Sequence, residues 1–130
     1  MRRTRLPSNW RRAPVRWGYA VAMPREYLNA VGLLGGGVHA LVGIGDIRQR
    51  LHKAYLYFQP LAPRHMPEHL REDLAQLKHD LTGVPVAKEG EGALVSTLRA
   101  MSDEEADRLA KKIYALYVEV VRASYEEEAD

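Results

Sequence analysis

Histidine is the side chain whose spacing in this sequence first suggests chemistry. His65 and His69 are four residues apart, the spacing of one helical turn, and Glu72 and Asp73 follow within reach on the next turn. Such a set could bind a metal ion. Pro67 lies between the two histidines, however, and places His65 before the helix, and the chain contains neither an HExxH nor an ExxH pattern. We therefore expect no metal site and no cofactor.

A second pattern in the same segment is an arginine and a histidine with four residues between them, Arg64 and His69. These six residues resemble the catalytic motif of the HEPN ribonucleases, a family of small all-α proteins. The resemblance implies metal-independent cleavage of RNA at a dimer interface. It also implies that Arg64 stabilises the phosphate and that His69 acts as general acid or base, a role suited to histidine. In this chain Pro67 interrupts the helix on which the family carries its motif.

Basic residues are concentrated at the amino terminus. The first 25 residues contain seven arginines and no acid, so all 17 acidic residues lie in the remaining chain with 12 of the 19 basic ones. The candidate binding residues of this arm, residues 1–23, are Arg2, Arg3, Arg5, Trp10, Arg11, Arg12, Arg16 and Trp17. Guanidinium groups form forked contacts to phosphate, and indole rings stack on bases. We predict that the arm binds RNA, DNA or an acidic protein. The alternatives are a solvated tail and a tail that pairs with the protein's own acidic surface.

Composition and hydrophobic spacing predict one all-α domain. The chain has 130 residues, of which 46% are hydrophobic and 28% charged, as is typical of a soluble globular domain. Apolar residues recur at spacings of three and four, and no segment alternates with a period of two. We predict a single four- to five-helix bundle over residues 24–125. A basic, partly extended arm precedes it, and an acidic tail at residues 126–130 follows it.

Prolines, glycines and apolar spacing predict where the first helices begin and end. The first helix is expected at residues 24–34, because Pro24 suits the first turn and three glycines at 35–37 follow. A second helix is expected over residues 38–58, with Ile44 on its buried face.

The second half of the chain carries clearer patterns. A helix that begins after Pro67 and ends at a glycine has a regular stripe of leucines, Leu70, Leu74, Leu77 and Leu81. A short helix is expected over residues 93–101. In the last helix Ser102 is the N-cap and forms a capping box with Glu105, and the apolar stripe runs to about Ser124.

Neither a signal peptide nor a membrane span is expected. No apolar region follows the basic start, because residues 6–18 contain several arginines and prolines. The uncharged stretch from Leu28 to Gly45 is 18 residues long, close to the ~20 that cross a bilayer, but six glycines make it weakly hydrophobic. The chain has no cysteine and thus no disulfide framework. We expect a cytoplasmic or other reducing compartment and no membrane partner.

These observations favour a binding protein over an enzyme, because the serines lack a nucleophile-elbow context and no thiol is present. We interpret the chain as a small accessory subunit of a larger nucleic-acid-handling or defence assembly. Its arm would bind nucleic acid or an acidic partner, and its body would dock onto protein subunits through tyrosines and the glycine-rich segment. Two alternatives stay open: a HEPN-like ribonuclease or toxin that uses Arg64 and His69, and a regulatory helical homodimer without nucleic acid.

Overall fold

Five α-helices and two short 3-10 turns make up residues 25–86 and 92–129, which the computed structural model describes, and these ranges contain no β-strand. The predicted all-α fold is therefore confirmed. The helices are α1 (Arg25–Leu41), α2 (Ile47–Phe58), α3 (Arg71–Thr82), α4 (Ala93–Ala100) and α5 (Asp103–Ala129). The 3-10 turns Pro63–His65 and Glu68–Leu70 connect α2 to α3. The predicted arm, residues 1–23, lies outside the described residues.

Side chains from all five helices form one hydrophobic core. Helix α1 packs against α2 and α5, and α3 packs against α4 and α5. The predicted leucine stripe is buried, as are most residues of the predicted stripe on α5: Leu70, Leu74, Leu77, Leu81, Ala106, Leu109, Ile113, Leu116 and Val120. Periodicity thus predicts correctly which faces of α3 and α5 point inward.

The run of three glycines lies inside α1 and does not end it. The predicted helix end at residue 34 is therefore wrong. A Cβ on Gly36 would lie 2.5 Å from the Tyr57 ring, and a Cβ on Gly37 would lie 3.3 Å from the carbonyl oxygen of Ala54. Since these positions carry no side chain, α2 approaches the backbone of α1 closely. Each glycine makes a helix about 1 kcal/mol less stable than alanine would, and the close packing of α1 against α2 offsets this cost.

The turn between α1 and α2 interrupts the helix that was predicted over residues 38–58. Gly45 has φ 110°, a conformation that favours glycine, and Asp46 caps α2. The Asp46 carboxylate accepts a hydrogen bond from the Gln49 N–H at 2.9 Å, and the Gln49 side chain accepts one from the Asp46 N–H at 2.9 Å. Ile44 consequently lies in the turn with 86% of its surface exposed, which contradicts its predicted burial.

Helix α5 begins at the predicted N-cap, with Glu105 bound to Arg108 in place of the predicted capping box, and it extends further than predicted. The Ser102 hydroxyl oxygen accepts a hydrogen bond from the Glu105 N–H at 3.1 Å. The Glu105 carboxylate accepts hydrogen bonds from Arg108, which lower the pKa of Glu105. The helix continues beyond Ser124 to Ala129, so that most of the acidic carboxyl end belongs to its last turns.

Arg48 joins α2 to the junction between α4 and α5. Its Nε donates to the Leu98 carbonyl at 3.0 Å, and Nη1 forms an ion pair with Asp103 at 2.6 Å. Its Nη2 donates to the carbonyl of Met101. One guanidinium group therefore satisfies two carbonyls at the end of α4 and a carboxylate at the start of α5.

Candidate functional site

Arg64 and His69, the pair that resembles the ribonuclease motif, lie on the two consecutive 3-10 turns before α3. Both residues are exposed, and Pro67 between them is buried. Within the described part of the chain, neither side chain forms a hydrogen bond or an ion pair. Both groups are therefore accessible to a ligand.

His65 has a local structural contact instead of a metal-site partner. Its Nδ1 accepts a hydrogen bond from the Ala62 N–H at 3.0 Å, which closes the first 3-10 turn. Among the described residues, no group of three His, Asp or Glu side chains could hold a metal ion. His65 therefore makes a capping contact within its own 3-10 turn, and His69 lies on the next one.

Two basic side chains hold this segment against α3. Arg71 Nε donates to the Met66 carbonyl at 3.1 Å. Lys78 Nζ donates to the Gln59 carbonyl at 2.9 Å and also to the carbonyl of Leu61. Burial lowers the pKa of the Lys78 ammonium group. The segment that carries Arg64 and His69 is thus tied to the body through main-chain carbonyls.

An apolar groove of about 430 Å³ lies between the carboxyl end of α1 and α2. Its walls are Ala40 from the end of α1, Gly43 and Ile44 from the turn, and Leu56 and Tyr57 from α2. His39 and Lys53 also line it, and both of these residues are exposed. We call this site the α1–α2 groove.

Local geometry explains why large apolar side chains face solvent here. The buried face of α2 carries Leu51, Tyr55 and Phe58, so Leu56 and Tyr57 project from another face. They are 53% and 49% exposed. The Tyr57 ring lies against the bare backbone of Gly36 and forms one wall of the groove.

A second hollow of about 360 Å³ lies on the other side of Leu56, between α2 and α4. Its lining includes His52, Tyr55, Gln59 and Leu94 in addition to Leu56. Since Leu56 lines both hollows, the two are neighbours along the outer face of α2. A ligand with two apolar groups could place one on each side of this side chain.

Basic residues outnumber acidic ones in the segment that forms this groove. From residue 27 to residue 67, Asp46 is the only acid. Its carboxylate accepts the hydrogen bond that caps α2. Lys53 and His39, by contrast, form no side-chain hydrogen bond or ion pair with any described residue. The α1–α2 groove therefore combines apolar walls with one available ammonium group, that of Lys53, and one available imidazole, that of His39.

Another exposed apolar stripe lies on α5. Tyr114, Val118, Val121 and Tyr125 follow each other at spacings of four, three and four, and all four are exposed or half-buried. Such a seam is typical of helices that pair with a second helix. Between α3 and α5, a smaller hollow of about 210 Å³ has both acidic and basic side chains in its lining.

Comparison with known proteins supplies no relative: no protein-family model, no curated protein and no solved structure matches this chain.

The arm residues from Arg2 to Trp17 lie outside the described residues, so their predicted role stays a prediction. No described helix is long and apolar enough to span the hydrocarbon core of a bilayer.

Sequence reasoning identifies the two exposed motif residues but not the α1–α2 groove. Periodicity places Ile44 in the core, whereas the turn at Gly45 places it at the surface. One sequence pattern does indicate the groove. Leu56 and Tyr57 are large apolar residues that fall outside the three–four spacing of Leu51, Ala54 and Phe58. Off-stripe apolar residues on a short helix indicate a second contact surface.

Proposed function

We propose that this protein is a non-enzymatic accessory subunit of a larger assembly, and that its helical body binds a partner protein. The observation that supports this proposal is the α1–α2 groove. Ile44, Leu56 and Tyr57 line this groove together, and all three are exposed although the chain has a buried hydrophobic core. Contiguous exposed apolar surface of this kind marks interaction sites, since burying it gains about 25 cal/mol for each Å².

The arm supplies the second part of the proposal. Its arginines and two tryptophans favour binding to nucleic acid, and an acidic protein is the alternative ligand. A subunit that docks by its body and contacts nucleic acid by its arm suits a nucleic-acid-handling or defence assembly.

The body's role is tested by the size of the native complex. A tagged full chain is expressed in its source cells, and its sedimentation is compared with that of the Ile44→Glu variant. We expect the parent chain to sediment in a larger complex and Ile44→Glu to sediment alone, because a buried carboxylate at the interface is costly. Ala75→Glu, at an exposed position on α3, is the matched control and should stay in the complex. A parent chain that sediments alone contradicts the proposal.

The arm's role is tested with purified full chain and single- and double-stranded RNA and DNA. Deleting residues 1–16, which removes six arginines, should weaken binding and flatten its dependence on salt, because fewer counterions are released. Replacing the six arginines by lysine is the control, and it should retain the salt dependence while losing the forked contacts. Unchanged binding after the deletion contradicts a nucleic-acid role. If the full chain binds no nucleic acid, the acidic-protein alternative replaces it.

A regulatory homodimer is a second candidate, and the apolar stripe on α5 favours it. Two copies could pair through Tyr114, Val118, Val121 and Tyr125. Sedimentation of the purified chain tests this: Tyr114→Glu should convert a dimer to a monomer, whereas Ile44→Glu should leave it dimeric.

A further inference from the structure

We propose that the α1–α2 groove binds an amphipathic helix of a partner protein whose apolar anchor residues are flanked by Asp or Glu. This inference rests on the proposed role as a protein-binding subunit and specifies the partner's chemistry. The site is the pair of hollows on either side of Leu56, with Lys53 and His39 at its rim.

The shape of the site favours a helix. The two hollows, of about 430 Å³ and 360 Å³, share Leu56 and lie along the outer face of α2. A helix presents apolar side chains three, four and seven residues apart on one face, so successive anchors can enter neighbouring hollows. Leu56 would then pack between two anchors of the partner. Val42, in the turn after α1 and next to Gly43 in the chain, is a further exposed apolar side chain, 77% exposed.

The charge of the site selects an acidic partner. Lys53 and His39 line the larger hollow and His52 lines the smaller one. The nearest acid along the chain, Asp46, already accepts the capping hydrogen bond of α2. A carboxylate beside the partner's anchors could therefore pair with the Lys53 ammonium group, and the imidazoles of His39 and His52 could donate hydrogen bonds to others. Charge complementarity of this kind chooses between partners and raises the association rate.

The same charges argue against the protein's own arm as the occupant. The arm contains arginines and no acid, so Lys53 would repel it. A second copy of the chain could offer an acidic helix end, since α5 finishes in a run of acidic residues. That occupant is an outcome of the test below.

The experiment selects helical peptides of about four turns from a display library on the full chain, with both anchors and flanking positions randomised. We expect enriched sequences to carry apolar anchors with one-turn spacing and Asp or Glu beside them. A selected peptide should bind about two- to fivefold more tightly at low salt than its Glu→Gln counterpart, as one exposed ion pair with Lys53 would give. Fluorescence anisotropy measures both affinities.

Three variants of the chain locate the binding. Leu56→Glu should abolish it, Lys53→Glu should reverse the preference between the acidic and the neutral peptide, and Ala75→Glu should change neither. All three positions lie on helical surfaces, and circular dichroism checks that each variant folds. Enriched peptides without acidic residues, peptides whose binding survives Leu56→Glu, or a selection that yields no binder would overturn the proposal.

Self-association is the remaining outcome. If the purified chain dimerises and Ile44→Glu separates the dimer, a second copy occupies the groove and the proposed partner class is wrong. These results are distinguishable from failure of the subunit role. A native complex that Ile44→Glu disrupts, together with peptides that show no charge preference, contradicts the acidic helix alone. A chain that forms no native complex contradicts the subunit role itself.

Discussion

The groups in contact at the α1–α2 interface differ in kind from those in contact at the α3–α5 interface. Helices α3 and α5 meet through large aliphatic side chains such as Leu77 and Leu116. Helices α1 and α2 meet through glycine backbone against aromatic rings, with Tyr57 over Gly36 and Phe58 close to Gly37. The α3–α5 interface, called the leucine interface below, leaves a small hollow lined by acidic and basic side chains. The α1–α2 interface, called the glycine interface below, directs the Tyr57 ring outward to form a groove wall. Close backbone approach therefore creates an apolar groove that leucine packing does not.

The largest effect should come from the leucine interface. Leu77 is 3% exposed, so Leu77→Ala removes buried methyl groups and leaves a cavity, at a cost of roughly 2–5 kcal/mol in the free energy of unfolding. Leu56→Ala, at an exposed position, is the matched control and should cost well under half as much. Urea denaturation measures both. A Leu77→Ala variant as stable as the parent would show that this face of α3 does not hold the core.

The glycine interface should respond to a single methyl group with opposite signs at two positions of α1. At Gly36 an added Cβ would meet the Tyr57 ring at 2.5 Å, so Gly36→Ala should cost about 1–3 kcal/mol. At Gly32 a Cβ meets no atom within 4 Å, so Gly32→Ala should gain about 0.5–1 kcal/mol from helix propensity. Thermal denaturation compares the two variants. Equal shifts of the same sign would contradict close packing at Gly36.

Arg48 connects α2, one of the two helices of the glycine interface, to the start of α5. Arg48→Met leaves the carbonyls of Leu98 and Met101 without their donor, and it should cost about 1–2 kcal/mol. Arg108→Met, which removes an exposed ion pair with Glu105 on a single helix, should cost less, because exposed ion pairs contribute little to stability in water. Denaturation at low and high salt checks the difference, since salt should screen the Arg108 pair and the contact of Arg48 with Asp103, but not the hydrogen bonds of Arg48 to the two carbonyls. If Arg48→Met destabilises the chain less than Arg108→Met does, other contacts hold the junction between α4 and α5.

The two interfaces also differ in how well sequence predicts them. Burial of Leu70 to Leu81 follows from spacing alone, because an amphipathic helix repeats its apolar face within a few residues. The path of α1 through the glycines depends on Tyr57 and Tyr117, which are far along the chain, so local propensity predicts a helix end instead. The cap at Asp46 was open to prediction, since an acid followed three residues later by glutamine is a capping-box pattern.

The candidate site was less predictable than the fold for the same reason. A groove requires side chains from the end of α1, the turn and α2 to meet, and no local pattern specifies that meeting. Ile44 shows the difficulty, because its spacing from Ile47 and Leu51 fits a buried helical face. The left-handed Gly45 and the capping Asp46 remove it from that face. The conformation of these two turn residues therefore places Ile44, which was predicted to be buried, at the surface of the groove.

The smallest effects should come from the segment between the two interfaces. Arg64 and His69 are exposed, and neither side chain has a partner among the described residues. Substituting either by alanine should change the free energy of unfolding by no more than about 0.5 kcal/mol, as at other unconstrained surface positions.

The same variants test the resemblance to the ribonuclease motif. If these residues catalysed RNA cleavage, the full chain would cleave RNA in the presence of a chelator, and His69→Ala would lose about 10²- to 10⁴-fold of that activity. We expect no cleavage by the parent chain and no effect of either variant on the native complex. Chelator-resistant cleavage that requires both Arg64 and His69 would contradict the non-enzymatic role, because two exposed groups held on adjacent turns would then act on a substrate instead of remaining solvated.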